Sequence, residues 1–89
     1  MESTSRPRLT AAEWKSFRIG REIHQAVAAE GRAEGVHAYL YHAPDGRAWF
    51  EKYDPKAHKA SRVFTRGLAE RIKSNREHLK VYAKYYVYY

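Results

Sequence analysis

The chain is 89 residues long, with a net charge of +7, 44% apolar and 15% aromatic residues, and no cysteine. That length holds one domain near the lower limit of what a single core stabilises, and the lack of cysteine excludes disulfides and thiolate metal sites. No early apolar run and no stretch of about 18 apolar residues is present, so neither a signal peptide nor a membrane span is expected and a cytoplasmic protein is the natural reading.

Residues 1–8 are polar, with Pro7 between Arg6 and Arg8, and 1–9 read as a flexible N-terminal arm to a single domain over 10–89. Thr10-Ala11-Ala12-Glu13 has the spacing of a capping box, so a helix is expected over about 11–29. Helical spacing puts Ile19, Ile23, Ala26 and Val27 on one face and Trp14 and Phe17 nearly opposite, a second aromatic face that needs either an internal or an external partner. Gly31 and Gly35 bracket the helix end and the loop after it.

Residues 36–42 and 47–53 alternate as strands do, joined by Ala43-Pro44-Asp45-Gly46. Pro presets the first corner and Gly46 takes the left-handed position that closes a bulged hairpin. The turn sets Leu40 opposite Phe50, Tyr41 opposite Trp49 and Tyr39 opposite Glu51. Val36, Ala38, Leu40, Ala48 and Phe50 then form the core face, and Tyr39, Tyr41, Trp49 and Tyr53 lie on the other with His37 and Glu51.

Asp54-Pro55 ends that strand and a polar linker follows. From about Ser61 a second helix is expected, with Phe64, Leu68, Ile72 and Leu79 on one face and Lys59, Arg62, Arg66 and Lys73 opposite. Ser74-Asn75 interrupts the pattern. Beyond it, Val81, Ala83, Tyr85, Val87 and Tyr89 alternate in sheet-favouring residue types, so a closing strand is expected over the last ten residues, with a continued helix through Tyr82, Tyr86 and Tyr89 as the alternative. The fold class is α+β: a small two-layer domain in the order α-β-β-α-β, its antiparallel or mixed sheet covered by helices on one face.

The positive charge is local. Residues 56–89 hold nine Lys or Arg against two Glu, and five of the eight tyrosines fall in residues 82–89. Cations neutralise phosphates and ring faces stack on bases, so the stripe of Lys59, Arg62, Arg66, Lys73 and Arg76 is the candidate contact for nucleic acid or an acidic protein surface. The competing reading is a solvated helix face on which Glu70 and Glu77 pair with Arg66 and Lys73. Tyr39, Tyr41, Trp49, Tyr53, Tyr86 and Tyr88 are the candidate aromatic contacts. The hairpin rings have the chemistry of a base-stacking platform, but coverage by a helix or by the tyrosine tail is the more ordinary fate of such rings.

His24, His37, His42, His58 and His78 show no metal-ligand spacing, and neither a metal nor another cofactor is expected. His37 or His42 with Arg47 and Lys52 could serve metal-free, toxin-like ribonuclease chemistry, which ranks third. First is a non-enzymatic nucleic-acid-binding accessory module that uses the second helix as a phosphate clamp. Second is a small inhibitor or adaptor, of the kind phages and mobile elements encode, that binds a host protein complex through its tyrosines and basic helix. No membrane partner is expected, and the C-terminal segment is a candidate homodimer contact because an uncovered strand edge templates another.

Overall fold

In the computed structural model, which describes residues 6–89, the Thr10 hydroxyl accepts from the Glu13 amide and the Glu13 carboxylate accepts from the Thr10 amide. This reciprocal cap starts α1, Ala11–Glu34. The helix runs past Gly31, five residues beyond the expected end at Ala29. It stops at Gly35, whose φ of 74° lets its amide bond to Arg32 O while the Val36 amide bonds to Gly31 O. Gly31 lies inside the helix, where a β-carbon would sit 3.3 Å from Val36 O and 3.5 Å from Ala38 Cβ, so the chain entering β1 passes close over it.

β1, His37–His42, and β2, Ala48–Asp54, form the hairpin in the register the turn dictates, with Leu40 opposite Phe50, Tyr41 opposite Trp49 and Tyr39 opposite Glu51. Gly46 has φ 96°, the left-handed value the turn demands. The next link is more than the expected polar linker. Asp54 accepts from the amides of Lys56 and Ala57, His58 takes φ 54°, and the chain folds back as β3, Lys59–Ser61, antiparallel to the end of β2. The sheet order is β1-β2-β3.

The α+β class holds, with helices on one face of an antiparallel sheet, but the third strand lies ahead of the second helix and the C-terminal strand is absent. α2 is Arg66–Ser74, starting later than expected because residues 59–61 are in the sheet. After Asn75 the chain turns helical again as α3, Arg76–Tyr85, and ends in a 3₁₀ turn, Tyr86–Tyr88. The helical alternative wins there because Tyr82, Tyr85 and Tyr89 meet α1. Tyr82 packs edge-on to Phe17 at 4.9 Å, Tyr89 packs edge-on to Trp14 at 5.1 Å, and the Tyr85 hydroxyl donates to Glu13 at 2.9 Å. The second aromatic face of α1 therefore has its partner inside the chain. Each such ring pair adds about 0.5–1.5 kcal/mol beyond area burial.

Of the expected arm, residues 1–5 lie outside the described residues. Arg6 sits over the Tyr89 ring, and the Tyr89 hydroxyl donates to the Pro7 carbonyl, so the described part is docked.

The core joins Ile23 and Val27 of α1, Phe50 of β2, Leu68 of α2 and Leu79 of α3, with Ala38, Leu40, Phe64 and Ile72 packed against it. One charge is buried with them. Lys52, 5% exposed, donates to Glu30 at 2.6 Å and Glu34 at 2.8 Å, and Glu30 also accepts from the amide and hydroxyl of Thr65. A single carboxylate thus ties α1 to β2 and to the start of α2, and no buried side-chain polar atom is left without a partner among the described residues.

Candidate nucleic-acid interface

Strand alternation fixes what the uncovered side of the sheet carries. With Ala38, Leu40, Phe50 and Lys52 turned to the helices, His37, Tyr39, Tyr41, Trp49, Glu51 and Tyr53 face away. Coverage of these rings by a helix or by the tail does not occur. The helices occupy the other side and the tail is committed to α1, which leaves Tyr39 46% and Tyr41 42% exposed while Trp49 and Tyr53 are half-buried.

Trp49 is the centre of this face. Tyr41, its neighbour on β1, stacks on it at 5.8 Å with 13° between the ring planes, and the Arg62 guanidinium lies 4.8 Å from its centroid. Tyr41 on β1 and Arg62 just after β3 flank the middle strand that carries Trp49 and make a ladder, Tyr41 then Trp49 then Arg62. Glu51 holds the ladder in place, accepting the Trp49 indole N–H at 2.7 Å and Arg62 Nε at 3.2 Å. Arg47 adds a second cation 5.6 Å from the indole. Such contacts are worth about 0.5–1 kcal/mol each when exposed.

Beside the ladder runs a groove. β3 pairs only with residues 52–54, so residues 48–50 of β2 have a strand neighbour on one side only, and α2 and α3 stand across the gap. The groove is lined by Arg47, Trp49, Arg62, Lys73, Arg76 and Lys80 over an apolar floor of Ile72 and Leu79, in two lobes of about 230 and 320 Å³. No acidic side chain lines either lobe. Arg47, Arg62 and Lys80 are neutralised in part by Asp45, Glu51 and Glu77, whereas Lys73 and Arg76 make no ion pair among the described residues. The expected pairing of Glu70 with Arg66 and of Glu77 with Lys73 is not formed; Glu77 pairs with Lys80 instead.

Of the expected cationic stripe, Arg62, Lys73 and Arg76 come together here. They do so from the segment after β3, the last turn of α2 and the first turn of α3, so the single basic helix is replaced by three elements. Arg66, at the start of α2, lines neither lobe. Lys59 is on β3 beside a different hollow of about 500 Å³, lined by Glu34, Lys52, Asp54 and Phe64. Tyr86 and Tyr88 are exposed and line neither lobe, and the Tyr86 ring lies 5.4 Å from that of His24. Arg47, Glu51 and Lys80 lie outside the expected contact residues, Arg47 being expected only in the ribonuclease grouping with His37 or His42. For two of them the sequence holds a signal, since Arg47, Trp49 and Glu51 alternate onto one strand face.

The histidines take separate roles. His24 and Tyr82 share a hydrogen bond of 2.7 Å; burial lowers the His24 pKa, and burial with the nearby Tyr86 pushes Tyr82 up to about 12. His78 bonds to Ser16 and His58 to Tyr53. The grouping of His37 or His42 with Lys52 is not assembled: His37 faces the other side of the sheet, His42 is opposite Ala48 at the far end of the hairpin from Lys52, and Lys52 is locked between Glu30 and Glu34. No three His, Asp or Glu side chains are placed to hold a metal ion among the described residues. No helix is long and apolar enough to cross a membrane.

The chain matches no protein-family model, and neither the curated proteins nor the solved structures hold a significant relative.

Proposed function

We propose that this chain is a small nucleic-acid-binding accessory protein that holds a single strand in the groove between β2 and the α2–α3 pair. Phosphates lie against Lys73, Arg76, Arg47 and Lys80, and bases lie against the ladder of Tyr41, Trp49 and Arg62. The observation that carries this reading is the meeting, at Trp49, of rings and cations drawn from separate parts of the chain. Counterion release supplies most of the affinity, and stacking adds about 1–3 kcal/mol per base. The Trp49 indole N–H is already given to Glu51, and its ring already packs against Tyr41, Arg62 and Arg47. A base therefore stacks on the Arg62 plane, which is recognition that tolerates sequence. The cytoplasm is the compartment that suits such a partner.

Fluorescence anisotropy with labelled single-stranded DNA and RNA over a salt series tests it. Lys73→Glu with Arg76→Glu removes two exposed cations that hold nothing inside the protein, so the fold should persist, the affinity should fall by more than about tenfold, and the salt slope should lose about two phosphates. Wild type that binds neither polymer in low salt would sink the reading.

A second reading is favoured by the exposed Tyr86, Val87 and Tyr88 at the chain end. An inhibitor or adaptor would bury them on a host protein, with bounded stoichiometry and a salt dependence mostly in the association rate. Tyr86→Ser with Tyr88→Ser then abolishes binding, while the groove variant leaves it largely intact.

A further inference from the structure

The two edges of the sheet are built differently. β3 is three residues long, carries Lys59 and follows Pro55, features that discourage strand addition. β1 is six residues long and, from His37 to His42, contains no Lys, Arg, Asp, Glu or Pro. It has no bulge and pairs on one side only.

The direction of its free backbone groups follows from the turn. The Ala43 amide donates to Arg47 O, so at every second residue before it, Tyr41, Tyr39 and His37, the amide and carbonyl point to β2. Those of Ala38, Leu40 and His42 point away from the sheet, and none takes part in a turn, loop or cap hydrogen bond among the described residues. These outward residues are centred on Leu40. A second copy turned about a two-fold axis at Leu40 places Leu40 against Leu40, Ala38 against His42 and His42 against Ala38, with every outward donor facing an acceptor. Tyr39 then lies opposite Tyr41 of the other copy, twice, in the closer, non-hydrogen-bonded pairs of the ladder.

We propose that β1 pairs antiparallel with β1 of a second copy of this chain, giving a two-fold dimer with a continuous six-stranded sheet. The occupant is a second copy because the edge complements itself: it is uncharged and its residues pair with one another about one axis, whereas an anionic partner finds no cation there. The consequence is a single outer face in which the two ladders join through the new tyrosine pairs, running Trp49, Tyr41, then Tyr39 of the partner subunit. The assembly does not depend on what the groove binds.

Sedimentation velocity on the nucleic-acid-free full chain tests it, with circular dichroism to confirm that each variant is folded. Wild type should sediment as a concentration-dependent dimer. Tyr39→Glu with Tyr41→Glu sets like charges opposite each other at both pairs and should weaken association by more than about tenfold. Tyr39→Lys with Tyr41→Lys should do the same, and mixing the two charge variants should restore a dimer. His42→Pro, which removes an outward amide used by nothing inside the protomer, should also weaken it. A wild type that stays monomeric at every concentration overturns the proposal, as do charge variants that dimerise alone or a mixture of folded variants that does not associate.

Discussion

Gly20 of α1 and Tyr82 of α3 are in contact backbone to ring: a β-carbon on Gly20 would lie 2.3 Å from Tyr82 Cβ and 2.6 Å from Cγ. Those atoms are the root of a buried side chain, not its flexible end, so they cannot step aside. Gly20→Ala should force the two helices apart and destabilise by about 1–3 kcal/mol, despite alanine's better helix propensity. Thermal unfolding checks it; an unchanged or higher melting temperature would mean that the helices cross less closely.

The tyrosine tail is structural at its start. Tyr82 is 3% exposed and touches Phe17, His24 and Gly20. Tyr82→Ala should cost about 3–5 kcal/mol, as large aromatic truncations do, and deleting residues 82–89 should prevent folding. Circular dichroism of the truncated chain reads the outcome directly.

The turn glycine is a local test. At φ 96°, Gly46 is where a β-branched residue is strained, so Gly46→Val should lower stability by about 1 kcal/mol or more. The measurement is the urea midpoint at unchanged slope.

Acid should act in two stages. Burial depresses His24, so between its folded value and the unfolded value near 6.5 the unfolded chain holds more protons, and stability falls as pH drops through that window. Glu30 is depressed by its hydrogen bonds to Lys52 and Thr65, so its contribution is complete above the unfolded value of about 4.3 and disappears as pH falls through the lower folded one. His24→Gln should flatten the first stage and leave the second. Chemical denaturation from about pH 7.5 down to about pH 3 separates them, because an unfolded histidine and an unfolded glutamate both titrate inside that range.

The hairpin was legible to the residue because everything that fixes it is local: Pro44, Asp45 and Gly46 determine the turn, and the turn determines the register. The tail was not. Val81, Ala83, Tyr85, Val87 and Tyr89 satisfy strand alternation while Tyr82, Tyr85 and Tyr89 satisfy a helix, and what decides between them is Trp14 and Phe17, far away in the sequence. β3 escaped notice because Lys59, Ala60 and Ser61 have no strand preference of their own; the Asp54 turn and the open side of β2 make them a strand. The cations of the site are legible by type, and their grouping depends on Arg62 standing outside the helix that its spacing suggests.

Asn75 closes one helix and opens the next: its amide bonds to Arg71 O, and its own carbonyl receives the Leu79 amide. Lys73 and Arg76 stand on either side of it. An uninterrupted helix would hold these two ammonium and guanidinium groups at the pitch of one helix, whereas the break at Asn75 sets their spacing by the angle between two short rods. The residue that interrupts the helical pattern thus sets the spacing of the two cations on that wall of the groove, and, under the proposed function, the spacing of the phosphates they would meet.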